Sequence, residues 1–217
     1  MSNTYGPILI IEDIPSVRDL LEATLRYKGY QVITAANGVD ALEIVKRELP
    51  ALIITDILMP KLDGFALAQQ LRTETRTAKV PIIIISATYI APEDKDFALK
   101  LGIARFIEKP IDTEDFLLTI AEVLTEGRKV PTAALPQHDF NLGYRERLEN
   151  KLRYKLSQIN RIERLLRSLP EGQRQSFALM LTQAEADRDT IQVELDDLYR
   201  LTTQPQPGGT QPLKPRF

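Results

Sequence analysis

The sequence predicts an α/β domain built on a parallel sheet, followed by two long helices. Over residues 7–126, short apolar runs alternate with amphipathic segments, a pattern typical of repeated βα units. Two of the runs, Ile8–Ile11 and Ile82–Ile85, contain only apolar residues, as expected of strands that are covered on both faces. Beyond residue 140, apolar residues recur every three to four positions, which is the period of a helix.

The first part of the chain divides into five strand–helix pairs. The candidate strands are Ile8–Ile11, Gln31–Thr34, Leu52–Thr55, Ile82–Ile85 and Arg105–Ile107. The candidate helices are Pro15–Lys28, Val39–Leu49, Gly64–Thr75, Pro92–Leu101 and Thr113–Thr125. Glycines and prolines mark most of the boundaries between these segments. Five such units predict a doubly wound, flavodoxin-like sheet, for which we choose the strand order 2-1-3-4-5.

The pattern predicts four regions along the chain. Residues 1–127 form the α/β domain, and residues 128–140, which contain two prolines and little periodicity, form a linker. Residues 141–201 form an all-α antiparallel hairpin, with helices over 141–169 and 173–201 and a turn between them. Residues 202–217 are rich in Pro, Gln and Gly, a composition that favours disorder.

The two long helices have complementary surfaces. The second has apolar residues at alternating spacings of four and three, interrupted by Arg188: Phe177, Leu181, Ala184, Arg188, Ile191, Leu195 and Leu198. This is a heptad seam of the coiled-coil type. The first has a broader stripe: Leu148, Leu152, Leu156, Ile159, Ile162, Leu166 and Leu169. Residues 141–169 have a net charge of +5 and residues 171–201 a net charge of −4, which favours an antiparallel pair. Because two helices leave much apolar surface uncovered, we expect two hairpins to form a four-helix homodimer.

Composition excludes several kinds of function. There is no cysteine and only one histidine, His138, so disulfides, thiol catalysis and His- or Cys-rich metal sites are excluded. We interpret His138 as a solvated linker residue. No apolar stretch reaches the roughly 18 residues that a membrane span needs, and the N-terminus does not resemble a signal peptide. We therefore expect a cytoplasmic protein without a membrane partner.

Polar residues directly follow four of the predicted strands. Glu12 and Asp13 follow the first, Asp56 the third, Ser86 the fourth, and Lys109 stands just beyond the fifth. In the 2-1-3-4-5 order, strands 1, 3, 4 and 5 are neighbours, so their carboxyl ends meet at one edge of the sheet. Ligands bind at this edge in open α/β proteins. Each residue alone would be a cap, a turn residue or a surface charge, but together they favour a functional site.

Three neighbouring carboxylates repel each other strongly. At 4 Å, two such charges cost roughly 4 kcal/mol at an effective dielectric near 20, so packing alone does not select this arrangement. A hard divalent cation relieves the repulsion, and Mg²⁺ suits a few carboxylates with water and a phosphoryl oxygen. Asp56 can then act as the nucleophile towards phosphorus, while Lys109 neutralises phosphoryl oxygens and Ser86 donates a hydrogen bond.

Residues 7–126 resemble the receiver domain of bacterial two-component response regulators. The resemblance rests on Glu12-Asp13, on Asp56 with Met59-Pro60 and Asp63-Gly64, on Ser86-Ala87, and on Lys109-Pro110. It implies that a histidine kinase or phosphotransfer protein phosphorylates Asp56. It also implies that Glu12, Asp13, Asp56 and the backbone carbonyl of Leu58 bind Mg²⁺, and that Ser86 and Lys109 contact the phosphoryl group. Phe106 stands at the place of the family's aromatic switch residue, which works together with the hydroxyl residue, here Ser86.

The function that we expect is a phosphorelay signalling switch whose output is a dimerising or partner-docking hairpin. The alternative is a nucleic-acid-binding transcriptional regulator, an RNA antiterminator or a DNA binder, with an unusual helical output. The region after residue 127 has no helix-turn-helix or aromatic–basic RNA motif, so we expect no nucleic-acid partner. The same region supplies no nucleophile–base pair, so we expect no turnover enzyme beyond the self-phosphorylating aspartate.

Overall fold

The structure, a computed structural model, describes residues 5–86, 92–126 and 134–203, with the backbone alone for residues 92–94 and 201–203. The chain divides into two compact units, one ending at Phe140 and the other beginning at Asn141. Of the predicted linker, residues 128–133 lie outside the described residues. The predicted disordered tail begins at residue 202, but residues 202 and 203 are the last two of a helix, and the rest of the tail, from residue 204, lies outside the described residues.

Strands and helices alternate in the described part of the first unit. The strands are β1 (Ile8–Ile11), β2 (Val32–Ala35), β3 (Leu52–Asp56), β4 (Ile82–Ser86) and β5 (Arg105–Glu108). The helices are α1 (Pro15–Tyr27), α2 (Gly38–Arg47), α3 (Gly64–Thr73), α4 (Pro92–Lys100) and α5 (Thr113–Glu126). These bounds agree with the predicted ones to within two residues.

The sheet has the strand order β2-β1-β3-β4-β5, and every pairing is parallel. The predicted fold class and strand order are therefore confirmed. The register places Asp56 opposite Ile85 and Ser86 opposite Glu108. As a result, the carboxyl ends of β3, β4 and β5 lie side by side, at the edge where the sequence predicts the site.

Apolar residues cover both faces of the sheet. Alternate residues of β1, β3 and β4 pack with α1 and α5 in one cluster that includes Ile10, Ile54, Ile85, Leu25 and Phe116. The intervening strand residues are buried as well, since successive side chains of a strand point to opposite faces. Burial on both faces explains why the central strands consist almost entirely of apolar residues.

The long helices are α6 (Gln137–Ser168) and α7 (Glu171–Thr203). Helix α6 begins four residues earlier than predicted, so residues 137–140 are not linker and His138 lies in the first helical turn. The backbone N–H of Phe140 donates to the carbonyl of Pro136 at 3.0 Å, which closes that turn. The two prolines upstream obscured this start, although proline just before a helix is favourable.

The two helices of the second unit pack along the predicted seam. Ile159, Ile162 and Ala184 form its buried centre, flanked by Leu166, Phe177 and Leu181. Leu156 departs from the prediction, since it is exposed. The neighbouring Lys155 instead reaches across the helices, and its ammonium lies 2.7 Å from the carboxylate of Asp187.

Two tyrosines also cross the hairpin. Tyr199 donates to the carboxylate of Glu149 at 2.6 Å and Tyr144 to that of Glu194 at 3.2 Å. These bonds join the start of α6 to the end of α7, as an antiparallel hairpin requires. Among the described helices, none is both long enough and apolar enough to span a membrane.

Candidate functional site

The structure brings the predicted site residues to one edge of the sheet. Glu12 directly follows β1, Asp56 ends β3, Ser86 ends β4, and all three are buried. Lys109 directly follows β5, and its backbone N–H donates to the carbonyl of Ser86 at 2.9 Å. Asp13 is half-buried beside Glu12. The parallel register alone therefore assembles side chains that lie far apart in the sequence.

The Lys109 ammonium bridges two of the carboxylates. It lies 2.8 Å from Oε2 of Glu12 and 2.6 Å from Oδ2 of Asp56. The side chain of Lys109 is only 15% exposed, and that of Glu12 only 1%. Charge-assisted hydrogen bonds in such surroundings are strong. The bridge holds the cation within reach of any group that becomes attached to Asp56.

The acidic residues are electrostatically crowded. Burial and the nearby charge of Asp56 raise the pKa of Glu12 above its ordinary value, although the hydrogen bond from Lys109 opposes the rise. Burial and the charge of Asp56 likewise raise the pKa of Asp13. Burial lowers the pKa of Lys109, but its hydrogen bonds to Asp56 and Glu12 outweigh that effect and raise it. An additional cation would therefore be favoured here.

The loop after Asp56 is fitted closely to the site. The backbone N–H of Leu58 donates to Oδ1 of Asp56 at 3.1 Å. Lys61 adopts a left-handed backbone conformation, with φ of 71°. Gly64 starts α3 directly against β3, since a Cβ atom there would lie 2.3 Å from the carbonyl oxygen of Asp56. Only glycine fits this position, which explains the Asp63-Gly64 pair in the sequence.

Asp63 caps α3 immediately beyond the phosphoacceptor candidate. Its carboxylate accepts from the backbone N–H groups of Phe65 and Ala66 at 2.9 and 2.8 Å. Such a cap stabilises the first turn of a helix.

Phe106, the predicted switch residue, is half-buried in β5. Its neighbour Ile107 points into the core, and so Phe106 lies on the opposite face of the sheet.

The residues present suit Mg²⁺ chemically. Within the described residues, no group of three or more Asp, Glu, His or Cys side chains forms a ready-made metal cage. Mg²⁺ does not require one, because it usually keeps several waters and takes one or two carboxylates. Burial first, and the charge of Asp56 after it, raise the pKa values of Glu12 and Asp13, and the charge of the three ionised carboxylates together exceeds the single charge of Lys109. A divalent cation would reduce this excess.

Four further residues were not found by sequence reasoning. Arg72 and Gln69 are buried polar residues of α3, Phe97 lies in α4, and Phe140 lies in the first turn of α6. Gln69 and the ring contact between Phe97 and Phe140 hold residues 134–140 against α3 and α4, whereas Arg72 binds backbone carbonyls on either side of β4. Their roles depend on contacts between distant segments, and the only signal in the sequence is that Gln69 and Arg72 fall on a helix face that is otherwise apolar.

The doubly wound fold and the acidic site at its strand ends restrict the families to which the chain can belong. A match to one family identifies which it is. Residues 8–121 match the response regulator receiver domain. This stretch is slightly more than half of the 217 residues and includes all the strand-end residues described above. The chain belongs to the response regulator receiver domain family.

Relatives share the receiver part. A probable transcriptional regulator, ycf27, of Porphyra purpurea is 38% identical over 132 residues, which are 61% of this chain and 53% of that protein. The DNA-binding dual master transcriptional regulator RpaA of Synechocystis sp. is 33% identical over 136 residues, 63% of this chain and 56% of that protein. The chain thus spans about half the length of these curated relatives.

Solved structures show the same fold. The chemotaxis protein CheY4 of Vibrio cholerae matches with a TM-score of 0.53 and 29% identity, covering 55% of this chain and 99% of its own. The receiver domain of the sensor histidine kinase PA1611 of Pseudomonas aeruginosa matches with a TM-score of 0.51 and 27% identity, covering 56% and 98%. That receiver holds a magnesium ion in its active site cleft.

Proposed function

We propose that this chain is a phosphorelay response regulator in which a histidine kinase or phosphotransfer protein phosphorylates Asp56. An oxygen of the Asp56 carboxylate attacks phosphorus, and the bond between phosphorus and the donor breaks, leaving its electron pair on the donor. The observation that carries the proposal is the Lys109 bridge at 2.6 Å from Asp56. This cation supports the proposal, because the equatorial phosphoryl oxygens of a group attached to Asp56 would develop charge that a nearby ammonium can neutralise.

The neighbouring residues have separate roles in this step. Glu12, Asp13, Asp56 and the carbonyl of Leu58 would hold Mg²⁺, which supplies charge neutralisation and orients the phosphoryl group. Ser86 stands one residue beyond Ile85, the residue that pairs with Asp56, and would donate a hydrogen bond to a phosphoryl oxygen. Phe106 would follow the movement of Ser86 through packing, since a phenyl ring has no hydrogen-bonding group.

Phosphorylation by a small phosphodonor tests the site directly. We expect the chain, incubated with acetyl phosphate and Mg²⁺, to gain one phosphoryl group by intact mass, and this group should be lost in acid or base. Asp56→Ala should gain none. Asp19→Asn, which changes an exposed aspartate of α1, should label like the wild type. Full labelling of Asp56→Ala would refute the proposed nucleophile.

We propose that the output is homodimerisation through the helical hairpin. On α7, Leu179, Ala186 and Val193 are spaced seven residues apart on the side opposite the buried seam. Leu179 is 68% and Val193 60% exposed. Exposed apolar residues at heptad spacing favour a further helix–helix contact. A second hairpin is the occupant we choose, because it would complete a four-helix arrangement.

A nucleic-acid-binding function is the second candidate. The name of the relative RpaA includes DNA binding, and α6 has a net positive charge with Arg161, Arg164 and Arg167 exposed towards its end. An electrophoretic shift with total nucleic acid at several salt concentrations separates the candidates. Binding that weakens steeply with salt would support phosphate contacts, and an absence of binding at low salt would leave the dimeric switch. We propose no turnover activity apart from phosphoryl transfer at Asp56.

A further inference from the structure

One face of α3 holds two other segments of the first unit. Phe65, Gln69 and Arg72 are spaced four and three residues apart, so they share a helix face, and all three are buried. The Arg72 guanidinium donates to the carbonyl oxygens of Leu101 and Gly102 at 3.3 and 2.7 Å. This face therefore fixes the position of the chain just after α4.

Gln69 binds the segment that leads into α6. Its Nε2 donates to the carbonyl of Leu135 at 2.7 Å, and its Oε1 accepts from the N–H of Leu135 at 3.2 Å. One side-chain amide thus satisfies both backbone groups of a single residue. Gln69 is only 4% exposed, and a buried amide without partners is costly. The pairing consequently fixes where this segment lies on α3.

Three aromatic rings continue the attachment. The ring of Phe65 lies edge-on to that of Phe97, with 5.4 Å between centroids. The ring of Phe97 lies 5.7 Å from that of Phe140. All three rings are buried, and contacts of this kind are favourable beyond their buried area. Helix α3 therefore contacts the segment before α6 through Gln69 and is linked to the first turn of α6 through the rings of Phe65 and Phe97.

The N-terminus of α3 packs directly against Asp56. The N–H of Gly64 donates to the carbonyl of Ile57 at 2.9 Å, and Gly64 has no spare room against the carbonyl of Asp56. Phe65 directly follows Gly64, so the first aromatic ring is one residue from the contact with β3. Direct contacts and one helical turn therefore link Asp56 to Phe65 and Gln69.

We infer that Gln69, Phe97 and Phe140 form a clamp on residues 134–140 that is closed without a phosphoryl group and opens when Asp56 is phosphorylated. This inference rests on the proposed function of Asp56. A phosphoryl group needs space between Asp56, Ser86 and Lys109, where the N–H of Leu58 and the Lys109 ammonium now bind the free carboxylate. The loop after Asp56 must therefore move to make room for the phosphoryl group, and α3 moves with it. Closely packed contacts switch between discrete arrangements rather than deform gradually, so the clamp loses its fit.

Hydrogen–deuterium exchange of the full chain tests the clamp. The amides of Leu135 and Phe140 are bonded within it, to Gln69 and Pro136. We expect a peptide covering 134–144 to exchange faster with Mg²⁺ and beryllofluoride, which mimics the phosphoryl group, than with Mg²⁺ alone. Unchanged exchange in this peptide, despite binding of beryllofluoride, would overturn the inference.

Two variants test whether the clamp and Asp56 are coupled. Gln69→Ala and Phe140→Ala should speed exchange of the 134–144 peptide without beryllofluoride. Because linkage is reciprocal, they should also tighten beryllofluoride binding, by about fivefold or more. Gln70→Ala alters the same residue type at the neighbouring exposed position and should change neither quantity. Circular dichroism confirms that each variant is folded.

The outcomes separate this inference from the proposed function. Beryllofluoride binding can be measured by its ¹⁹F resonances. If the wild type does not bind beryllofluoride, the phosphoacceptor role of Asp56 fails and the inference fails with it. If the wild type binds, but Gln69→Ala and Phe140→Ala leave its affinity unchanged, the clamp is a static attachment and only the inference is overturned.

Discussion

Lys109 compensates the negative charge of the candidate site. Its ammonium bonds both Glu12 and Asp56 in a largely buried position, so it offsets a repulsion that burial makes stronger. Under the proposed function, the same position would let it contact a phosphoryl group on Asp56. We therefore propose that stability without a phosphoryl group and chemistry with one depend on the same cation.

Replacing Lys109 by methionine should destabilise the chain in the absence of divalent cations. Removing one partner from a buried ion pair leaves uncompensated charge, and we expect the free energy of unfolding at pH 7 to fall by about 3 kcal/mol. Without Lys109, the pKa of Glu12 in the folded state rises further. The stability contributed by a carboxyl with a raised pKa is complete below its unfolded-state value and is lost as the pH rises. The loss of stability in Lys109→Met should therefore become smaller as the pH falls towards 4.5, the ordinary pKa of glutamate.

Urea unfolding in EDTA at several pH values measures this effect. Lys46→Met is the matched control, because Lys46 pairs with Glu43 at an exposed site, where an ion pair contributes little. A Lys109→Met variant as stable as the wild type at pH 7 would contradict the account of the bridge.

Lys61 carries backbone strain in the loop after Asp56. Its φ of 71° lies in the left-handed region, which costs a residue with a Cβ atom about 1 kcal/mol. Lys61→Gly should raise the free energy of unfolding by up to about 1 kcal/mol, measured by urea unfolding. Lys79→Gly changes another exposed lysine of the described chain, one without a positive φ, and should destabilise instead. A loss of stability in Lys61→Gly would show that the strain is absent.

At the scale of elements, α3 connects the site to its surroundings. Its N-terminus lies against Asp56, and its buried face binds the end of α4 and the segment before α6. Arg72 also donates to the carbonyls of Ala78 and Val80 at 3.3 and 2.9 Å. One guanidinium thus satisfies carbonyl groups on both sides of β4.

Arg72→Lys should therefore be strongly destabilising. A lysine ammonium has three donors on a flexible chain and does not reproduce the planar guanidinium, so buried carbonyls lose their partners. We expect a loss of about 2–3 kcal/mol in the free energy of unfolding. Arg76→Lys alters an exposed arginine that donates to the backbone carbonyl of Lys46, and serves as the control. Equal stability of the two variants would refute this role of Arg72.

Much of the sheet could be predicted because its information is local. Apolar runs such as Ile82–Ile85 specify strands covered on both faces, and the parallel order then gathers the strand-end residues. The start of α6 and the exposure of Leu156 were mispredicted, since prolines obscured the first and Lys155 takes the inward position near the second.

The attachment of residues 134–140 had no comparable signal. Gln69 recognises the backbone of Leu135, and a backbone carries no sequence information. The bridge from Lys109 to Glu12 was also not predicted in detail. The sequence indicates which residues meet, but the hydrogen-bond partners of a flexible ammonium depend on distances that only the folded chain sets.

At the scale of the whole molecule, a receiver unit is joined to a hairpin with an uncovered apolar side. We expect light scattering after size exclusion to give twice the monomer mass. Leu179→Glu with Val193→Glu should give the monomer mass, because charges would be buried in the contact. Gln192→Glu adds charge at the exposed neighbour of Val193 and should remain dimeric. A wild type that is monomeric both in the absence and in the presence of Mg²⁺ and beryllofluoride would contradict dimerisation through the hairpin.

The measurement that tests the central claim most directly is chemical mapping of the phosphorylated residue. Borohydride reduces the acyl phosphate of an aspartate to homoserine, which peptide mass spectrometry locates. After treatment with acetyl phosphate and Mg²⁺, the account predicts homoserine at position 56. Homoserine at another aspartate, or a phosphoryl group on His138, would contradict it.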